Sequence, residues 1–144
     1  MHKIKVLFLC TGNSARSQMA EALLRQQAGE TIEVFSAGLE PKGVNPYTLR
    51  VLEEQAIPTA NLTSKSLDVF VGQTTFDYLI TVCSNAEERC PFFPGAGTRL
   101  HWPFEDPAAF QGSEADILAR FRQVRDEIND RIHAWLQETQ ISAS

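Results

Sequence analysis

One apolar run, and the abrupt way it ends, constrains this chain more than any other feature. Lys3–Leu9 ("KIKVLFL") is β-branched at first and then continuously apolar, the pattern of a strand buried on both faces of a parallel sheet. Parallel neighbours need crossover connections, and a helix follows at once. Met19, Ala22, Leu23 and Gln26 keep helical spacing across Ala15–Ala28, with Ser14 in place as N-cap and Gly29 just past the end. The alternation continues. Thr31–Gly38 reads as a second strand, Pro46–Gln55 as a helix capped by Asn45, Phe76–Ser84 as a third strand and Gly97–Trp102 as a shorter fourth. From Ser113 to about Glu138, residues Ile117, Phe121, Val124, Ile128, Ile132 and Trp135 recur at steps of three and four, a long amphipathic helix. The expectation is one α/β domain over residues 1–144: a four-stranded parallel sheet with helices on both faces. No internal repeat, low-complexity tract or linker divides it.

Charge and cysteine usage narrow the function. A formal net charge of −5 disfavours nucleic acid and anionic membrane as partners, so an anionic substrate would need a local positive site. No apolar stretch is long enough to span a bilayer, and Met1–Lys5 leads into a strand-like run rather than a secretory leader. A cytoplasmic location is therefore expected, where thiols stay reduced. The three cysteines, Cys10, Cys83 and Cys90, are an odd set for a stapled framework. A metal site is not expected either, since no Cys-x-x-Cys pair exists and His2, His101 and His133 are scattered.

Cys10 ends the first strand, and Arg16 opens the first helix. Ligands of open α/β sheets bind beyond the carboxyl ends of strands. There, the backbone amides of Thr11, Gly12, Asn13, Ser14, Ala15 and Arg16 can cradle an anion at the positive end of the helix. That field should lower the Cys10 pKa and hold a nucleophilic thiolate. Gly12 and Asn13 tolerate positive φ. Arg16 can grip a tetrahedral oxyanion through two donors, and Ser17 can donate to the thiolate. Taken singly, a strand-end cysteine is a core residue and a helix-start arginine is solvated; their coincidence favours catalysis.

Displacement at a tetrahedral oxyanion also needs an acid for the leaving oxygen, and "FEDPA" offers Glu105 and Asp106 in a stiff loop. Cys83 and Cys90 are seven residues apart. On a helix both sulfurs would share one face about 10 Å apart, too far for a bridge without local unfolding. Buried, inert thiols remain the alternative for each. His101 and Trp102 read as packing for the loop that presents the acid, and Phe121 and Trp135 as core.

Taken together, "CTGNSARSQMAE", "SAG", "GVNP", "CSNAEERCP", "HWPFEDPA" and "FRQVRDEI" resemble the thioredoxin-coupled arsenate reductases of the low-molecular-weight tyrosine phosphatase fold. The resemblance implies that Asp106 is the acid. It further implies a relay in which Cys10 attacks arsenate, Cys83 attacks the adduct and releases arsenite, and Cys90 takes over the disulfide. Thioredoxin is the reductant it implies, ahead of glutathione with glutaredoxin, and a monomer is expected. Three departures weaken the phosphatase alternative, which would act on phosphotyrosine or small phosphate esters. Ala108 stands where phosphatases carry an aromatic residue, Ala15 where they carry a second cysteine, and Gln18 where they carry proline. A non-catalytic arsenite or redox sensor is the third reading.

Relatives of this kind bind potassium through residues matching Asn13, Glu21 and Ser36 with a further carboxylate. Here Lys65 takes the carboxylate's place. No potassium is therefore expected; the ammonium would substitute by pairing with Glu21, and Asn13 would shape the loop.

Overall fold

The computed structural model describes residues 3–72, 74–89 and 95–139. Four parallel strands form one sheet: β1 (Ile4–Cys10), β2 (Ile32–Gly38), β3 (Phe76–Thr81) and β4 (Ala96–His101), in the order β2-β1-β3-β4. Val6–Leu9 of β1 are wholly buried, as a central parallel strand requires. The helices are α1 (Arg16–Ala28), α2 (Pro46–Glu53), α3 (Ser84–Arg89) and α4 (Glu114–Thr139).

The chain leaves β1 toward β2 and later leaves β3 toward β4, in opposite directions across the sheet. With right-handed crossovers, α1 and α3 then lie on opposite faces. Aromatic packing marks both faces. Tyr78 meets Trp135 of α4 at 5.1 Å between ring centroids, and Trp135 meets Trp102 at 5.8 Å. Phe35 aligns with Leu7 and Tyr78 with Val6, so Phe35 points the other way, where it meets Phe70 at 5.5 Å. Trp102 and Phe121 are buried as expected, while His101 is exposed with Nδ1 2.8 Å from the Thr81 hydroxyl.

Several boundaries move by a residue or more, and those of β3, α1 and α2 bear on the site or its approach. β3 ends at Thr81 rather than Ser84: Val82 still donates to Leu9, but Ser84 already opens α3. α1 begins at Arg16, and its N-cap is Ala15, without any side-chain cap, in place of Ser14. The Ser14 carbonyl is turned instead to the amide of Asn45 and the hydroxyl of Thr48. α2 ends at Glu53; its cap is Asn45, whose side chain accepts from the Tyr47 amide with Pro46 at the first position. Strand order reverses at β1, the switch point where such sheets bind ligands, and Cys10 is its last residue.

Candidate active site

Residues 10–16 are held from outside. Leu39, Glu40, Lys42 and Asn45 donate their amides to the carbonyls of Cys10, Thr11, Gly12 and Ser14 at 3.2, 2.8, 2.9 and 3.0 Å. The carbonyl of Asn13 accepts from Gln18 Nε2 at 3.0 Å and that of Ala15 from the Met19 amide at 2.9 Å. With every carbonyl turned outward, the opposite edge of those peptides faces inward. Among the described residues, the amides of Gly12–Ala15 donate to no protein group. Together with the uncapped start of α1, this is a row of donors arranged for an anion. Asn13 takes φ 47°, as its residue type permits. Gly38 lies against the loop: a Cβ there would sit 2.8 Å from Asn13 N and Thr11 O. Only glycine fits at that closeness.

A cleft of about 490 Å³ opens over the loop, lined by Cys10, Gly12, Arg16, Lys42, Asp106 and Ala108 among others. The Arg16 guanidinium spans it. Its NH1 donates to the Phe104 carbonyl at 3.0 Å, its NH2 stands 3.7 Å from Asp106 Oδ2, and its buried Nε has no protein partner. Asp106 is half exposed, with Oδ1 accepting from the Ala108 amide at 3.0 Å in the turn that Pro107 stiffens. The acid and the cradle thus share one cleft, and Glu105 is turned away to Arg120.

Cys83 joins them. Its sulfur lies 3.4 Å from the Thr11 hydroxyl and accepts from the Ala86 amide at 3.4 Å, while Asn85 Nδ2 donates to that same hydroxyl at 2.7 Å. Both Cys10 and Cys83 are buried, reduced thiols. They share a charge in an unexpected way. Cys83 is drawn down to about 5, first by a hydrogen bond from Cys10, then by Thr11, Ala86 and the charge of Arg16. Cys10 is raised, chiefly by giving that hydrogen bond and by burial, against the pull of Arg16 and the Thr11 amide. Cys10 therefore does not titrate alone: one negative charge is shared between the two sulfurs, and Arg16 and the Thr11 amide favour placing it on Cys10 while burial and Cys83 oppose this. Cys90 lies outside the described residues.

Behind the loop is a polar cluster. Asn13 Nδ2 donates to Ser17 Oγ at 2.9 Å and to Ser36 Oγ at 3.0 Å, and Ser36 donates to Glu21. Ser17 is fully buried and meets Asn13; a bond to the Cys10 sulfur is not among its contacts. Lys65 does not pair with Glu21, because Arg25 holds that carboxylate at 2.6 Å. Its Nζ instead donates to the carbonyls of Ser36 and Thr63 at 3.0 and 2.8 Å, and its amide donates to Asn13 Oδ1 at 2.9 Å. Burial lowers its pKa while the charge of Glu21 raises it. An ammonium already bonded to the oxygens of this cluster leaves a potassium ion facing a like charge. The residues present do not fit that ion.

Sequence reasoning passed over three contributors. Gln18 bridges the Asn13 and Thr63 carbonyls, and so braces the cradle where a proline could not. Asn85 reaches Thr11 across 74 residues, and Lys42 enters the cleft from the loop after β2. Only the Gln18 position carried a local signal, its departure from proline.

Residues 5–143 match the low molecular weight phosphotyrosine protein phosphatase family. An arsenate reductase of Oceanobacillus iheyensis is 44% identical over 135 residues, covering 94% of this chain and 96% of that protein. A solved arsenate reductase in a phosphate-binding state superposes with a TM-score of 0.80 at 30% identity, over 96% of this chain and 99% of the other. A thioredoxin-dependent arsenate reductase of Corynebacterium glutamicum gives 0.72 at 30% identity, over 96% of this chain and 62% of its own.

Proposed function

This chain belongs to the low molecular weight phosphotyrosine protein phosphatase family, and from that premise we propose that it reduces arsenate to arsenite through its cysteines. The observation that carries the reading is the second thiol. A phosphatase needs one nucleophile and an acid, whereas Cys83 stands bonded to Thr11 of the oxyanion loop beside Cys10. The names of relatives sharing 44% and 42% of their residues with this chain support the same reading.

The proposed steps run as a relay from the oxyanion loop to the other thiols. Arsenate enters the amides of residues 11–16, and Arg16 exchanges Asp106 and Phe104 for its oxygens. The proton between the sulfurs moves to Cys83, and Cys10 attacks arsenic. Asp106 gives a proton to the departing oxygen, which leaves as water and yields a sulfur–arsenic(V) bond. Cys83, once deprotonated, attacks the Cys10 sulfur. The electron pair of the S–As bond goes to arsenic, which leaves as arsenite, and a Cys10–Cys83 disulfide remains. The two electrons that reduce arsenic are those lost by the two thiols. Cys90 then attacks Cys83, and an external dithiol reduces the Cys83–Cys90 disulfide; thioredoxin is the proposed reductant. Such a relay starts from reduced thiols and so suits the cytoplasm.

The test is arsenate-dependent NADPH oxidation coupled through thioredoxin and its reductase, with glutathione and glutaredoxin as a parallel arm. Hydrolysis of p-nitrophenyl phosphate is followed beside it. Sustained arsenate turnover that stops with Cys83→Ser is expected. Vigorous ester hydrolysis indifferent to Cys83, with no arsenate turnover, would show a phosphatase instead.

A further inference from the structure

We propose that Lys42 binds the fourth oxygen of a free oxyanion and thereby favours inorganic arsenate and phosphate over phosphate esters in this cleft. The inference deepens the reading above.

The charges lining the cleft are few. Arg16 and Asp106 stand 3.7 Å apart and largely offset one another. Lys42 is the remaining cation of the lining, and among the described residues its ammonium has no ion-pair partner within 4.0 Å. The nearest candidate, Glu40, is already bonded to Arg89, which holds its carboxyl below the usual range ahead of any effect of Lys42.

Lys42 is also placed rather than merely exposed. Its amide donates to the Gly12 carbonyl at 2.9 Å, and its Cδ lies 3.4 Å from where a Gly12 Cβ would stand, so the stem rests on the loop. The next residue, Gly43, turns at φ +88°, and its amide donates to Ser64 Oγ at 3.1 Å. Ser64 in turn donates to the Gly12 carbonyl at 3.3 Å. The backbone beneath the lysine is thus tied twice to the loop that binds substrate.

A tetrahedral oxyanion seated on an amide cradle with a thiolate below turns three oxygens inward and one toward the mouth. Asp106 and Lys42 both line the cleft above the loop. On a free oxyanion the fourth oxygen accepts from an ammonium. On an ester it is a bridging atom of little charge, and the organic group must pass the lysine. Lys42 therefore discriminates between the two classes, as Ala108 does by leaving an aromatic ring nothing to stack on.

Cys10 alkylation tests this without relying on turnover. The reduced full chain is treated with iodoacetamide, the Cys10 peptide is quantified by mass, and protection by inorganic phosphate is compared with protection by phenyl phosphate. Lys42→Met keeps the stem and removes the charge; it should weaken phosphate protection about tenfold, the scale of one charge-assisted hydrogen bond, and phenyl phosphate protection less than about twofold. Lys42→Arg should restore phosphate protection. Equal weakening of both ligands would overturn the proposal in favour of long-range steering, as would no change in either. Unchanged thermal melting of Lys42→Met verifies that the fold is intact. Loss of the reductase reading would leave this binding result standing.

Discussion

Two neighbouring thiols, Cys10 lining the cleft and Cys83 buried beside it, rest on supports of different kind. Cys10 ends a central strand, and the loop after it is held by backbone hydrogen bonds to residues 39–45. Cys83 precedes a helix of six residues, Ser84–Arg89, that is tied down by its side chains. Arg89 pairs with Glu40, Glu87 accepts from Arg99 and Thr81, and Asn85 reaches Thr11. Four successive backbone bonds from one segment fix the geometry of the loop, whereas half-exposed ion pairs contribute only about 0–1 kcal/mol each. The difference matches the chemistry. In the proposed relay the first step needs a cradle that does not relax, and the later steps need a sulfur that can leave.

The largest effect should come from breaking the fixed side. Gly38→Ala drives a methyl into Asn13 N and Thr11 O, each 2.8 Å from it. Overpacking of this kind costs about 1–3 kcal/mol, seen as a lower melting temperature, and a distorted cradle should lower kcat/KM on the order of 10²-fold or more.

Next in size is the charge shared by the sulfurs. Thiolate absorbance near 240 nm should appear as pH rises through about 5, the value to which Cys83 is drawn. The first cause of that depression is the Cys10 donor, so Cys10→Ala should move the midpoint upward, whereas Cys10→Ser, which can still donate, should keep it low. An unmoved midpoint in Cys10→Ala would show that the charge never belonged to the pair.

Thr11→Val tests the join between the two supports. It keeps the shape of the side chain but removes the hydroxyl shared by Cys83 and Asn85. The hand-over from Cys10 to Cys83 should slow about tenfold in single-turnover kinetics, with phosphate affinity little changed. The smallest effect belongs to the loose side. Glu40→Gln removes the exposed pair with Arg89 and should raise amide exchange in residues 84–89 by no more than about fivefold. If it equals Gly38→Ala in damage, the two supports are not different in kind.

The division between supports also marks what the sequence reveals. The β1 run and the loop after it were legible as local patterns, the meeting of Cys10 and Arg16 came from their coincidence, and the choice of Asp106 over Glu105 came only from the resemblance. The cap of α1 was misread for an instructive reason: Ser14 is a good N-cap type, but the site needs its amides free, so the cap is left to Ala15. The end of β3 was overrun because Val82 and Cys83 remain apolar, and Val82 still donates to Leu9, past the last strand residue. Lys42 and Asn85 had no local signal, since the groups they meet lie 30 and 74 residues away in sequence. The ionisation of Cys10 could not be read from its own loop, because its strongest influence is Cys83.

The relay itself is tested most directly by stopping it after its second step. Reduced Cys90→Ser protein, mixed with one equivalent of arsenate and no external reductant, should yield about one arsenite per chain. Peptide mapping should then find a Cys10–Cys83 disulfide. Arsenate left unreduced with both thiols still free, or arsenite formed with no bridge between Cys10 and Cys83, would contradict the account.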